Sequence, residues 1–186
     1  MNNNKLFFIY GGNGCGKTWL IKNYLKDFEE IKTEFGYYSI DKKQKNIAIG
    51  KYSNKFGGGD SLKNVYCVFK LLNFILENFN NINIFIEDPI IYSMKRFIDL
   101  LLFYKYEKKC NINLILILIS NENMLKNILT RNNFNKINIP ILCKKYKVTI
   151  NNFLKAKKIK EFNCYILNND KNMLKNFMEI INNAWK

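Results

Sequence analysis

The stretch that decides the fold is FFIYGGNGCGKTWLIKNYL, residues 7–25. The first residues of this stretch belong to an apolar run that is rich in aromatic and branched residues and begins just before it. This run predicts a buried strand over residues 5–10. Glycines end the run, and apolar residues then recur near helical spacing over residues 18–28. The sequence therefore predicts a strand, a glycine-rich loop and a helix in direct succession.

The loop between strand and helix matches the phosphate-binding pattern G-x-x-x-x-G-K-[ST] in full. Glycines let backbone N–H groups turn around phosphate oxygens, and the following helix presents its positive end to the same anion. We expect Lys17 to reach the β- and γ-phosphates of ATP or another nucleotide, and the Thr18 hydroxyl to ligate magnesium. The predicted nucleotide-binding residues are Gly11, Gly12, Asn13, Gly14, Cys15, Gly16, Lys17 and Thr18.

Short apolar segments alternate with amphipathic ones along the rest of the chain. Strands are predicted over residues 37–40, 46–49, 83–86, 112–120 and 163–167, and helices over 62–79, 93–108, 121–130, 141–159 and 171–184. The first two strands flank the sequence DKKQK and predict a hairpin, expected as an insertion around residues 36–60. Strands that alternate with helices predict a three-layer α/β fold, with a mainly parallel sheet covered by helices on both faces. The length favours a single domain over residues 1–186.

Two adjacent carboxylates end the predicted strand in NIFIEDP, namely Glu87 and Asp88. The carboxyl edge of the strands is where open α/β sheets bind ligands. We expect a carboxylate here to organise magnesium or to act as a base, within hydrogen-bond range of the Thr18 side of the nucleotide. Because only one of two adjacent side chains can point at the metal, the other is expected to be a solvated turn residue. The candidate metal ligands are Thr18, Glu87 and Asp88.

The segment GKYSNKFGGGDSL, residues 50–62, carries three consecutive glycines followed by Asp60. Consecutive glycines permit close approach of the backbone to a ligand. Asp60 is then suited to accept a proton from an acceptor hydroxyl, or to hydrogen-bond a base or sugar. Asp60 is equally suited to cap the following helix, and the two roles are compatible.

The composition is strongly basic, with 30 Lys and Arg against 15 Asp and Glu and a formal net charge of +15. A positive field of this size favours a polyanionic partner such as nucleic acid. The chain uses Asn, Lys, Ile, Phe and Tyr heavily, as an AT-rich coding sequence would produce, so a non-specific basic surface is the alternative.

The chain has no histidine, which excludes imidazole catalysis and leaves carboxylate, lysine, tyrosine or cysteine as general base.

The five cysteines are scattered and never spaced as C-x-x-C, so buried reduced thiols are expected rather than disulfides or a zinc site. The apolar run at the N-terminus is too short for a signal-peptide core or a membrane span. A soluble, cytoplasmic protein without a membrane partner is therefore expected. The sequence does not indicate an oligomeric state.

The phosphate loop, the strand ending in IEDP and the segments LILILISNENMLKNILTRN and CYILNND together resemble the P-loop kinase group. This group includes nucleoside, nucleotide and polynucleotide kinases. The resemblance implies a P-loop kinase-like fold with a lid or acceptor region around residues 121–145. It casts Arg131 as a lid arginine, with Lys126, Lys136 and Lys144 as further lid cations. The candidate catalytic residues are Lys17, Asp60, Glu87 and Arg131.

Two departures from the group bear on the acceptor. Nucleoside monophosphate kinases usually carry an Asp-Arg pair and several clamping arginines, whereas here the sequence is Glu87-Asp88-Pro89 and the only arginines are Arg96 and Arg131. Lysines act as point charges and do not replace a bidentate clamp, which argues for an acceptor hydroxyl. IAIGKYSNKFGGGDSL and IFIEDPIIYS are similar to virus-encoded P-loop kinases, including 5-hydroxymethyluracil DNA kinases, which implies a base hydroxymethyl group in DNA as one acceptor.

The sequence thus predicts an ATP- and magnesium-dependent kinase that phosphorylates a hydroxyl of a nucleoside, a nucleotide or a nucleic-acid base. One alternative is a small-molecule nucleoside or nucleoside monophosphate kinase with an incidental basic surface. Another is a non-kinase P-loop NTPase that binds nucleic acid.

Overall fold

The structure, a computed structural model, describes residues 3–43, 45–53, 58, 61–62, 64–87, 94–131 and 138–184. Within them the fold is α/β, with a seven-stranded mixed sheet and six helices. The strands are β1 (Lys5–Tyr10), β2 (Phe28–Thr33), β3 (Gly36–Asp41), β4 (Asn46–Ile49), β5 (Asn83–Glu87), β6 (Asn111–Leu118) and β7 (Asn163–Asn168). The helices are α1 (Lys17–Leu25), α2 (Val65–Asn78), α3 (Met94–Tyr106), α4 (Asn121–Arg131), α5 (Ile139–Ala156) and α6 (Met173–Asn183).

The strands lie in the order β2-β3-β4-β5-β1-β6-β7. The five strands from β4 to β7 along this order are parallel to one another. From β1 the chain returns to the sheet on one side, at β2, whereas from β6 it continues to β7 on the other. The carboxyl ends of the neighbouring strands β1 and β6 therefore form a switch point, the usual place for a ligand in an open α/β sheet.

The sheet is mixed, so the prediction of a mainly parallel sheet is wrong. The expected hairpin is present as β3 and β4, but β2 adds a second antiparallel pairing, with β3. β2 lies where the sequence predicts the end of a helix and a loop. Lys26 ends α1 with a positive φ of 51°. The sequence FEEIKT then has only two apolar residues, so no alternation indicates a strand until β3 provides its hydrogen-bond partner.

The sheet is covered on both faces, which gives three layers. Alternate side chains of β1 enter opposite cores: Leu6 and Phe8 pack with α2, α3 and α5, whereas Phe7 and Ile9 pack with α1 and α6. This alternation follows from the two-residue period of a strand. β1 is buried along its whole length, so the loop that follows it is anchored at the centre of the molecule.

The described helices are all too short or too polar to cross a bilayer. The five cysteines are free thiols. Burial raises the pKa of Cys110 to about 11 and also raises the pKa of Cys164. Both thiols therefore stay protonated, and poorly nucleophilic, at neutral pH.

Candidate functional site

The predicted phosphate loop joins β1 to α1 at the carboxyl edge of the sheet. Gly14 and Gly16 have φ angles of 78° and 95°, which a residue with a side chain adopts only with strain. Lys17 begins α1 directly after Gly16, and glycine offers no side chain to cap the helix. The first N–H groups of α1 and the positive end of its dipole therefore remain available to an anion beside the loop.

Two asparagine side chains hold the loop from outside. Nδ2 of Asn169, just after β7, donates to the Cys15 carbonyl oxygen at 2.6 Å. Nδ2 of Asn127, on α4, donates to the Gly14 carbonyl oxygen at 2.9 Å. In a trans peptide unit the C=O and the following N–H point in opposite directions. The contact from Asn169 therefore turns the Gly16 N–H away from Asn169, which fixes the direction in which the loop offers this donor.

The Lys17 side chain folds back over the loop that precedes it. Its Nζ donates to the carbonyl oxygens of Gly11 and Gly12, each at 3.1 Å, and lies 3.7 Å from Cys15 Sγ. Only 7% of Lys17 is exposed. The ammonium group is thus held at the loop by backbone oxygens instead of extending into solvent, and its position is set before any ligand arrives.

Thr18 and Glu87 meet beside the loop. Thr18 Oγ1 donates to Glu87 Oε2 at 2.9 Å. Glu87 is the last residue of β5, level with Ile9 of the neighbouring β1, and is 8% exposed. The carboxylate therefore lies within hydrogen-bond range of Thr18. A hydroxyl and a carboxylate are the hard oxygen ligands that Mg²⁺ prefers, so the pair fits the expected metal.

The glycine-rich segment reaches the same carboxylate from the opposite side. Gly58 has a φ of 74°, and a Cβ added there would lie 2.6 Å from Glu87 Oε1. Gly50, which follows β4, packs equally closely: its added Cβ would lie 2.2 Å from the Gly58 carbonyl oxygen. The Gly58 N–H donates to the Lys51 carbonyl oxygen at 2.8 Å, and Ser61 Oγ donates to the Gly58 carbonyl oxygen at 2.6 Å. Gly58 is thus fixed against Glu87 at a distance that a side chain would prevent.

Glu30 on β2 anchors the start of this segment. Its Oε1 accepts hydrogen bonds from the backbone N–H groups of Tyr52 and Ser53, both at 2.6 Å. Its Oε2 accepts from Ser53 Oγ at 2.9 Å and lies 3.9 Å from Lys51 Nζ. The unexpected strand β2 therefore positions the chain that leads from β4 to Gly58.

α4 and α5 pack against the loop from the switch-point side. A Cβ added at Gly12 would lie 3.0 Å from both Met124 Sδ and the Tyr146 ring, and one at Gly14 would lie 3.0 Å from the Met124 carbonyl oxygen. The pKa of Tyr146 is raised, because the effect of burial outweighs the hydrogen bond to the Ile119 backbone, which acts in the opposite direction. Its hydroxyl stays protonated and both donates to the Ile119 carbonyl oxygen and accepts from the Ile119 N–H. The loop is therefore packed against side chains as well as hydrogen-bonded.

Some predicted site residues lie outside the described residues, namely Asp60, Asp88 and Lys136. Arg131 is the last residue of α4, but its side chain is not described. Arg96 is exposed on α3, and the predicted lid cations Lys126 and Lys144 are exposed on α4 and α5. The structure thus brings together Lys17, Thr18 and Glu87 with Gly58, and the roles assigned to all of the predicted site residues stay predictions.

Sequence reasoning missed Asn127, Asn169 and Glu30. The asparagines fall in segments quoted for the predicted fold, but asparagine is so frequent in this chain that these two did not stand out.

Comparison of the chain with protein-family models and with curated proteins finds no match.

Proposed function

We propose that the protein is an ATP- and magnesium-dependent kinase with a P-loop kinase-like fold. It transfers the γ-phosphate to a hydroxyl of a nucleoside, a nucleotide or a nucleic-acid base. The observation that carries the proposal is the Thr18–Glu87 hydrogen bond of 2.9 Å directly beside a phosphate loop that holds Lys17. This pairs an anion-binding loop with a metal-binding oxygen pair at one sheet edge.

On the donor side, the loop amides and Lys17 stabilise negative charge on the transferring phosphoryl group. Lys17 is already held against the loop by two carbonyl oxygens, so little reorganisation is needed when it binds phosphate. Thr18 and Glu87 hold magnesium, with Asp88 as a further candidate ligand. When bound, magnesium neutralises charge on the β- and γ-phosphate oxygens.

On the acceptor side, Glu87 or Asp60 accepts the proton of the attacking hydroxyl. The bond between the γ-phosphorus and the bridging oxygen breaks, a bond to the acceptor oxygen forms, and ADP leaves. The contact of Gly58 with Glu87 supports this assignment, because it brings the glycine-rich segment to the carboxylate. Arg131 and Arg96 are proposed to neutralise phosphoryl oxygens as the region around residues 121–145 closes.

A hydroxyl acceptor is favoured over a phosphate acceptor because the chain contains only two arginines. A clamp on an acceptor phosphate uses several bidentate guanidinium groups, and two arginines are too few to build one.

The net charge of +15 supports a second candidate function, a non-kinase NTPase that binds nucleic acid.

Incubation with γ-labelled ATP and a panel of acceptors tests the proposal. The panel contains free nucleosides, nucleotides, DNA ends and hydroxymethylated DNA. Label on one acceptor hydroxyl, lost on removal of magnesium, is the expected result. Release of labelled free phosphate without labelled acceptor would instead establish the NTPase.

Replacing Gly58 by alanine is expected to lower kcat about tenfold or more. The added methyl group would lie 2.6 Å from Glu87 Oε1 at a φ of 74°, so either the segment or the carboxylate must move. Steady-state kinetics with varied acceptor measures the effect. Gly36→Ala is the control, because Gly36 also has a positive φ, 137°, but begins β3, and its added methyl group would meet the flexible end of the Leu62 side chain instead of a carboxylate. An equal loss in both variants would assign the effect to general strain.

Replacing Glu30 by alanine is expected to raise the KM for acceptor about tenfold while leaving the KM for ATP nearly unchanged. Each hydrogen bond to a charged group contributes about 1.5–3 kcal/mol, and Glu30 accepts three at the segment over residues 51–53. Glu30→Gln, which keeps one carbonyl oxygen, should restore part of the loss. The exposed neighbour Glu29 provides the matched control as Glu29→Ala. A parallel rise of both KM values would contradict a role confined to the acceptor side.

A further inference from the structure

The positive charge of the chain is concentrated in one segment. Residues 123–160 contain ten Lys and Arg and no Asp or Glu. The rest of the chain contains twenty Lys and Arg and fifteen Asp and Glu. Two thirds of the net charge of +15 therefore come from this segment, whereas a uniform compositional bias would spread the charge along the chain.

In the structure seven of these ten cations lie on the outer surface of α5 and the chain that directly follows it. The seven lysines between residues 144 and 160 are all exposed. Lys144, Lys147 and Lys155 fall within an arc of about 80° on the helix, because successive residues advance by about 100°. Lys158 continues the same line in the turn after α5. We call these four lysines the basic stripe.

The opposite side of α5 is committed to the protein core. Thr149, Phe153 and Ala156 are buried there. The basic stripe therefore cannot turn inward without exposing core residues. Asn151, exposed in the middle of the stripe, adds a side chain that can donate hydrogen bonds without changing the charge.

The spacing of the stripe suits the backbone of a nucleic acid. Lys144 and Lys155 are about 16 Å apart along the helix axis, a length over which duplex DNA presents about nine phosphate charges. Lysine contacts phosphates as a flexible point charge and lacks the planar fork with which arginine reads bases. The stripe is therefore suited to sequence-independent binding of a phosphate backbone.

An anionic membrane surface would be attracted by the same charges but suits the stripe less well. A helix that lies in a membrane interface turns a broad apolar face to the lipid. The apolar face of α5 is instead buried against the sheet. Its exposed aliphatic residues, Ile139, Ile141, Val148 and Leu154, are 45–50% exposed and point in several directions around the helix, so they do not form one broad apolar face.

The stripe lies on the face of α5 opposite the one that contacts the phosphate loop. Tyr146, on the buried side of α5 between Lys144 and Lys147, packs against Gly12. We propose that Lys144, Lys147, Lys155 and Lys158 form a docking surface for the phosphate backbone of a nucleic acid, on the outer face of the helix whose inner face contacts the phosphate loop. Docking goes beyond the proposed kinase activity, because it requires no phosphoryl transfer and can be measured without ATP.

Fluorescence anisotropy with labelled single-stranded and duplex DNA of mixed sequence tests this proposal, at salt concentrations from about 50 to 200 mM. The stripe variant replaces Lys144, Lys147, Lys155 and Lys158 by glutamine. The control variant makes the same change at four exposed lysines elsewhere, Lys32, Lys43, Lys171 and Lys175. Both variants lose the same formal charge, and circular dichroism verifies that both remain folded.

The stripe variant is expected to bind DNA at least about tenfold more weakly than the unmodified protein, and its salt slope should fall by about one for each phosphate that the protein no longer neutralises. The control variant should keep most of its affinity and slope. Equal reductions in the two variants would overturn the proposal, since net charge alone would then explain binding. Stripe-dependent binding to phosphatidylserine vesicles with no stripe-dependent binding to DNA would overturn it in favour of a membrane surface.

Discussion

Lys17→Ala is expected to lower kcat for phosphoryl transfer by about a thousandfold, the upper range for loss of one transition-state donor. The Nζ atom is buried and held at the loop by the carbonyl oxygens of Gly11 and Gly12. In the described residues no other cation is held at the loop, so no neighbouring side chain is expected to replace the Lys17 ammonium group. Single-turnover assays with labelled ATP and the acceptor identified from the panel measure the loss.

Two comparisons separate this effect from misfolding. Lys17→Met keeps most of the side-chain length and apolar stem but removes the charge, and should be as inactive as the alanine variant while unfolding near the same temperature as the unmodified protein. Lys22→Ala removes a lysine from the same helix, one turn beyond the loop, and should retain activity. Native turnover by either Lys17 variant would show that the loop does not act on phosphate as proposed.

Glu87→Gln is expected to lower kcat about a hundredfold and to raise the magnesium concentration needed for half-maximal activity about tenfold. The substitution keeps the shape of the side chain and an oxygen that can accept from Thr18 Oγ1. It removes the negative charge that attracts a divalent cation and can take a proton. Activity measured over a magnesium titration reports both effects separately.

The control for this variant is Glu179→Gln, which neutralises an exposed carboxylate on α6. It should leave both kcat and the magnesium dependence unchanged. If Glu87→Gln lowered kcat with no change in magnesium dependence, Glu87 would be assigned to proton transfer and Asp88 would become the leading metal ligand. Unchanged values for both quantities would remove Glu87 from the mechanism.

The donor side of the site was predictable because its signals are contiguous. Eight successive residues specify the phosphate loop, and a strand in front and a helix behind can be recognised from local periodicity. Glu87 was predictable for a related reason. The carboxyl ends of parallel strands meet at one edge, so a carboxylate that ends β5 must lie near a loop that follows β1.

The supports of the site were not predictable because they join distant parts of the chain. Asn169 contacts Cys15 across 154 positions, and Glu30 reaches Tyr52 and Ser53 from a strand whose own sequence lacks a strand pattern. β2 exists because β3 offers it hydrogen-bond partners, and that pairing depends on the fold rather than on FEEIKT itself. Tertiary context therefore decided both the mixed sheet and the shape of the acceptor side.

The contact between Gly58 and Glu87 joins two structural units of different kinds. The nucleotide loop depends on central parallel strands, whereas the segment over residues 51–53 is held by β2 at the antiparallel edge of the sheet. Substitutions at that edge can accumulate without disturbing β1, since β3, β4 and β5 lie between β2 and β1 in the sheet. For the proposed kinase, the fold would therefore allow acceptor preference to diverge during evolution while the proposed ATP-binding loop stays constant.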